Sequence, residues 1–424
     1  MAKRWMSDQN AAQAGAGLLG HPLGRRLLFA SLYLSEGAPI GFIWWALPVE
    51  LRNHGVPAAT IAKISSGLTL VWGFKFLWAP LIDVLRSPRW GRRHWIIVSQ
   101  IGMGLALLPL MFLDLHDDLA VIIAILLVHA LLATIQDAAI DSMAIANVSE
   151  HERGRINGWM QMGMLLGRGA FGGLSLWVAS WIGQTGQVLA LVVVIWWSTT
   201  LVIFGVPMES SERVDPDFGS RVTSFARAIG GAVRRRATWI GMAIALVAGA
   251  SFEAAGGLAG SMLVDAGFSR ERIGGFYALP VIVVTAAGAL LGGFLSDRAG
   301  HRRIVILSLL ATAPVAASAW WGVSATSGSW LSLAHLGLMY LGIGMLTASS
   351  YALLMDLTDR RIGATQFSAF MGATNLCESW VMWLAGAILS AGLGYTMALV
   401  IPAAVSLAAI PLVLSVRADS DRVS

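Results

Sequence analysis

The chain reads as an all-α membrane protein of about twelve transmembrane helices in two six-helix repeats, with both termini cytoplasmic. Three observations predict this. First, hydrophobic residues make up 56% of the 424 positions and charged residues 12%, against roughly half and a quarter in an ordinary soluble domain. With a mean hydropathy of +0.70 and repeated apolar runs of about twenty residues, a lipid-spanning bundle accounts for so much apolar surface. Second, the stretch Lys75–His94 (KFLWAPLIDVLRSPRWGRRH) is echoed in shortened form by Gly292–Arg303 (GGFLSDRAGHRR). Each places an aspartate, Asp83 or Asp297, at the end of an apolar segment ahead of an arginine-rich loop. A loop doubled about half a chain apart marks two like halves. Third, the basic residues alternate from one connection to the next.

Taken in order, the predicted spans lie near 27–51, 60–82, 95–113, 119–147, 156–182, 186–206, 238–264, 272–296, 303–322, 329–356, 365–389 and 393–415. The connections after every second span, with both tails, hold all 29 Lys and Arg except Arg52, Lys63, Lys75, Arg168, Arg270 and Arg272. Short loops rich in arginine stay inside, so the sequence predicts a cytoplasmic tail over 1–24 and another over 417–424. Asp114, Asp117 and Asp118 fall on the opposite side. Residues 25–206 form the first expected six-helix bundle and 238–416 the second, joined by a cytoplasmic linker over 207–237. Within it Phe225, Ile229 and Val233 recur beside Arg221, Arg227 and Arg234–Arg236. That segment is either an amphipathic helix on the anionic inner surface or a solvated basic linker. Trp95, Trp181, Trp239, Trp320 and Trp321 stand near span ends, as interfacial anchors do.

Composition also excludes several function classes. The formal net charge of +5 is accounted for by topology, so nucleic acid is not an expected partner. The tail shows no short apolar core with a cleavage site, and so no secretory signal is expected. Cys377 is the single cysteine and forms no intrachain disulfide. His129 and His335 lack ligand-spaced neighbours, so no metal or cofactor is expected. There is no Gly-x-x-x-x-Gly-Lys-Ser/Thr loop to bind ATP, and no converging nucleophile and base, so the chain is not expected to be an enzyme.

Candidate functional residues are those that a bilayer penalises. A lone charge among acyl chains costs at least ~2.5–3.5 kcal/mol, so an intramembrane ionisable group faces a cavity or a partner. Spans 3, 6, 9 and 12 carry none in their apolar cores. Spans 1, 2, 4, 5, 7 and 11 carry Glu36, Lys75, Asp137 with Asp141, Arg168, Glu253 and Glu378. Glu36, Arg168, Glu253 and Glu378 fall near mid-bilayer, two from each half, as a central site at a repeat interface requires. Pro39, following Glu36, Gly37 and Ala38, disturbs the preceding helical turn and frees carbonyls. Glu36, Glu378, Glu253 and Asp137 are the candidate proton-coupling acids. For Glu36 the alternative is a fixed ion pair with Arg168, and for Asp137 a pairing with Lys75. Asn375 shares a helix face with Glu378, and Gln161 with Arg168. The expected solute-binding set is therefore Glu36, Lys75, Gln161, Arg168, Asn375 and Glu378. Asp141, nearer the cytoplasmic end of span 4, is expected to pair with loop arginines such as Arg92 or Arg155.

The Asp-to-Gly-x-Arg-Arg loops resemble the signature loop of the major facilitator superfamily, through Asp83, Gly91, Arg92 and Arg93, and through Asp297, Arg298, Gly300, Arg302 and Arg303. Within it the first half resembles the AmpG-like muropeptide permease group. The resemblance rests on Phe74–Pro80 (FKFLWAP) with Asp83, on Gln136 and Asp137 with Asp141, and on Glu152, Arg153 and Gly154 ahead of Gly172 and Gly173. It implies the major facilitator fold and a cytoplasmic charge latch of Asp83, Arg92, Arg93, Asp141, Asp297, Arg298, Arg302 and Arg303. It further implies a proton-coupled permease for a polar, anionic solute such as a muropeptide, working as a monomer in the bacterial inner (plasma) membrane. The family's span 5 arginine corresponds to Leu165, with Arg168 one turn later. Related members suggest siderophore or acetyl-CoA permeases as alternatives, and so does a non-transporting relative that assists assembly of membrane complexes.

Overall fold

The computed structural model describes residues 17–416 apart from 79–81, 83–89, 115–116, 149, 208–222, 224–225, 228–229, 232, 326–328 and 359–362. Asp83 and part of the expected linker helix, Arg221, Phe225 and Ile229 included, lie outside the described residues.

The fold is all-α. In chain order it contains α1 (Pro22–Gly41), α2 (Leu47–Asn53), α3 (Ala58–Gly73), α4 (Arg92–Leu107), α5 (Leu119–Asn147), α6 (Glu150–Arg168) and α7 (Ser175–Gly205). After the linker come α8 (Arg236–Val247), α9 (Ala250–Asp265), α10 (Arg270–Ala278), α11 (Pro280–Ala299), α12 (His301–Ala317), α13 (Ala319–Ala325), α14 (Trp330–Asp356), α15 (Gly363–Ser390), α16 (Gly394–Leu407) and α17 (Ala409–Ser415). Among the described residues, eight helical stretches are long and apolar enough to cross a membrane, or nine if α12 and α13, bent by 42°, count as one span. The difference from about twelve has local causes. Arg155–Gly205 runs as one stretch of 51 residues, well over twice what a ~30 Å hydrocarbon core needs. It is broken at Gly183, whose φ of 62° leaves the right-handed helical region. α3 is only 16 residues long.

Proline and glycine set the bends. Pro39 lies inside α1, and the helix widens into a π turn over Phe42–Ala46 before α2 resumes. A missing backbone donor leaves the ladder out of register for a turn, which the π geometry absorbs.

The chain groups into two compact units. One comprises Met1–Phe42 and Leu77–Val222, and the other Ile43–Phe76 and Thr223–Ser424. Residues 43–76 thus group with the second half of the sequence rather than with the first. In the first unit α1 packs along α6, and α4 against α5 and α7. Gly37 and Gly41 of α1 face Met164 and Arg168 backbone, while Gly163 and Gly167 of α6 face Ala30 and Leu34 carbonyls, so closely that a Cβ would collide. Two interlocking Gly-x-x-x-Gly pairs allow backbones to meet in an environment where water supplies no driving force. In the second unit α11 packs along α14, and α3 along α15. A core of Ile244, Val305, Leu309, Leu346, Leu353 and Val413 joins α8, α12, α14 and α17.

Candidate transport site

Each unit carries a buried polar assembly. In the first, α1 places Tyr33 and Glu36 one turn apart. The Tyr33 hydroxyl donates to Asp141 Oδ1 at 2.7 Å, and the charges of Asp137 and Glu36 also act on Tyr33. Three carboxylates of α1 and α5 therefore gather around one phenol. Glu36 and Asp137 are each 4% exposed. Beside them Gln100 ties three helices together. Its amide nitrogen donates to Ser35 Oγ at 3.1 Å and Ser198 Oγ at 2.6 Å, and its oxygen accepts from Thr199 Oγ1 at 2.9 Å. α4 has no charge in its core and is anchored through this amide. His129 is fully buried, its Nδ1 3.2 Å from the Met103 carbonyl.

Arg168 ends α6 and is partly buried, whereas Gln161 on the same helix is exposed. Of the expected latch residues in this unit, Arg92 Nε donates to Ser142 Oγ at 2.6 Å, next to Asp141. Arg93 donates to the Val202 and Ile203 carbonyls, satisfying acceptors that the end of α7 leaves open. Arg25 pairs with Glu152 at 2.8 Å, joining the starts of α1 and α6.

In the second unit the acid is Glu378 of α15. Its Oε1 accepts from the Trp44 indole nitrogen and, at 3.3 Å, from Thr69 Oγ1. Trp44 meets Trp72 edge-on, ring centres 5.2 Å apart. Asn375, one turn before Glu378, donates to the Trp72 carbonyl at 3.2 Å. One turn farther along, Ser379 Oγ bonds the Ser66 carbonyl at 2.9 Å. The charges of Glu253 and Glu378 both act on the buried Cys377. Trp45 stacks on Tyr277 at 5.2 Å, and Tyr277 meets Tyr340 edge-on. Lys75 sits partly buried in a 3₁₀ turn after α3. The site thus combines a carboxylate in a low-dielectric setting with neutral donors and aromatic faces.

Two ion-pair groups that the sequence reading missed lie at one end of this unit. Arg52 Nε lies 2.5 Å from Asp265 Oδ1, and the Tyr395 hydroxyl donates to Asp265 Oδ2 at 2.7 Å. Arg270 pairs with Glu50 at 2.9 Å. The signal was present. Arg52 and Arg270 are two of the few basic residues in connections otherwise poor in them. At the other end Asp297 faces His301 at 3.7 Å, and His301 Nδ1 lies 2.5 Å from Asp356. Arg298 covers the Phe294 ring at 4.1 Å and Arg302 donates to the Val416 carbonyl at 3.1 Å, while Arg303 is exposed. Among the described residues no group of three or more His, Cys, Asp and Glu is placed to hold a metal ion.

Acids and aromatic donors buried inside helices this apolar mark a membrane protein with a polar interior. The model of the Major Facilitator Superfamily matches residues 29–382, so the chain belongs to that superfamily and is a multi-pass inner-membrane transporter. Within it the chain is AmpG-like. It is 26% identical over 367 residues to the anhydromuropeptide permease of Escherichia coli K12, covering 85% of this chain and 74% of that protein. It is 21% identical to the putative transporter AmpG 4 of Rickettsia conorii, covering 85% and 88%. Among solved structures, a D-xylose–proton symporter superposes with a TM-score of 0.71 at 12% identity, covering 92% of this chain and 96% of that one. The nucleoside transporter NupG gives 0.68 at 12% identity, covering 92% and 98%. These two likenesses speak to fold alone.

Proposed function

We propose that this transporter is a proton-coupled permease that moves a polar, anionic organic solute of the muropeptide kind across the cytoplasmic membrane by alternating access. It crosses twelve times with both termini inside and works as a monomer. The observation that carries this reading is Glu378, the single charged residue of α15, held by an indole and a hydroxyl. Such a group is expensive to keep charged in a bilayer and is retained where its titration is used. Glu36, with Asp137 and Asp141 around Tyr33, is the second acid of the coupling path, and Glu253 adjoins the first.

Lys75 and Arg168 attract the anionic part of the solute, and Gln161 and Asn375 supply hydrogen bonds. The Arg52–Asp265–Tyr395 and Glu50–Arg270 groups hold one end closed while the arginine-rich loops hold the other. Similarity to the anhydromuropeptide permease favours a muropeptide over a siderophore or acetyl-CoA. The test is uptake into proteoliposomes with an imposed pH gradient, acidic outside. Muropeptide accumulation that collapses with the gradient supports the proposal. Accumulation of siderophore or acetyl-CoA but not muropeptide would overturn the solute, and gradient-independent uptake would overturn the coupling.

A further inference from the structure

α10 and α11 are separated at Leu279, whose φ of −138° and ψ of −51° interrupt the helix just before Pro280. The break opens a groove against α14 with a volume of about 670 Å³. Gly275, Pro280 and Val284 form one wall and Leu333, Gly337 and Leu341 the other. The flanks are open to the surroundings: Leu279 is 63% exposed, Val283 54% and Leu338 53%. A Cβ added at Gly275 or at Gly337 would meet nothing within 4 Å. Both glycines therefore leave room in the groove that no packing within the protein requires. At one end the groove is bordered by Arg272, its guanidinium 5.6 Å from the Phe268 ring. Trp330, 72% exposed, begins α14 at the same end.

We propose that this groove is a binding site for one anionic glycerophospholipid, whose acyl chain lies along α11 and α14 and whose phosphate meets Arg272. Length supports the assignment. From Arg272 to Val284 a helix rises roughly 18 Å, about half the ~30 Å hydrocarbon core, which is the depth of one leaflet. Charge supports it too, because the cation stands where the chain entrance meets the interface and a tryptophan marks that level. The lining below Arg272 is apolar, which fits an acyl chain and excludes a hydrophilic solute. Arg272 also lies over the Phe268 ring, a contact that helps to position the guanidinium.

Native mass spectrometry of the purified full chain, titrated with phosphatidylglycerol or phosphatidylcholine, tests the site. The wild type retains phosphatidylglycerol preferentially. Arg272→Gln lowers that preference about fivefold, as removal of one basic residue near a membrane surface should, and leaves phosphatidylcholine retention unchanged. Gly337→Leu fills the groove and removes the tight adduct of both lipids, with the melting temperature in lipid-free detergent unchanged. Unaltered lipid retention in both variants would overturn the proposal. If Gly337→Leu fails to fold, crosslinking of the wild type with a phosphatidylglycerol bearing a photoreactive acyl chain decides. Adducts concentrated in 272–284 and 333–341 support the site, and adducts spread evenly over all exposed helices reduce it to ordinary lipid solvation and overturn it.

Discussion

Glu36 is 4% exposed on a helix whose neighbour approaches through glycines, and the polar side chains bonded to its helix come from α4 and α5 of the same unit. Glu378 is partly open and is gripped by residues of α3 and of the π turn between α1 and α2, both remote from it in sequence. The first assembly is closed and hydroxyl-rich, and the second is aromatic and accessible. The contrast teaches that equal penalties for burying a carboxylate are met by different means. One places the acid deep beside a hydroxyl and amide network, and the other holds it through neutral donors on neighbouring helices.

The comparison breaks most sharply at the two acids. In Glu378→Gln the amide oxygen still accepts from Trp44 and Thr69, so the fold persists while titration is lost. Gradient-driven uptake should fall by at least about tenfold, equal to ~1.4 kcal/mol, with solute affinity at fixed pH retained. If Glu36→Gln has this effect and Glu378→Gln does not, coupling belongs to the closed assembly alone. Next in size is Gly163→Leu, which drives a side chain into the Ala30 carbonyl of α1. Overpacking costs about 1–3 kcal/mol, read as a lower melting temperature and reduced yield. The matching change in the other unit, Gly288→Leu against Leu341, should cost as much.

Smaller again is Gln100→Leu, which strips partners from Ser35, Ser198 and Thr199. An interhelical hydrogen bond in a membrane protein is worth about 1–2 kcal/mol at most. Thermal unfolding in detergent should register that loss with uptake per folded molecule nearly intact, and a selective loss of uptake would show that the knot positions Glu36. The mildest is Asp265→Asn. The Arg52 and Asp265 side chains are 26% and 21% exposed, so their pair is worth ~0.2–1 kcal/mol after solvent screening. Spin-label distances across this end should show its open population rise by up to about fivefold, and an unchanged distribution would remove the pair from gating.

Much of this site was legible because charge in an apolar run is rare. Glu36, Asp137, Glu253, Glu378, Lys75 and Arg168 stood out for that reason alone, and Asn375 by sharing a helix face with Glu378. Tyr33, Gln100, Trp44 and Thr69 did not. Neutral polar and aromatic side chains occur freely in membrane helices and give no signal until a partner is found. Asp265 and Tyr395 were invisible for a related reason. Asp265 meets Arg52 across 213 residues and Tyr395 across 130, separations that no local pattern encodes. His301, four residues after Asp297, also meets Asp356, a partner 55 residues away that only the assembled α12 and α14 supply.

By itself the sequence determined that the chain is helical, lies in a membrane and carries a doubled arginine loop, since these follow from composition, hydropathy and short-range spacing. Only the tertiary structure decided which acids share a neighbourhood, that residues 43–76 group with the second half of the chain, and that a break before Pro280 opens a groove. Hydropathy is a property of each segment, whereas a partner is a property of two segments brought together, and in a bilayer that meeting is set by the fit of one helix surface to another.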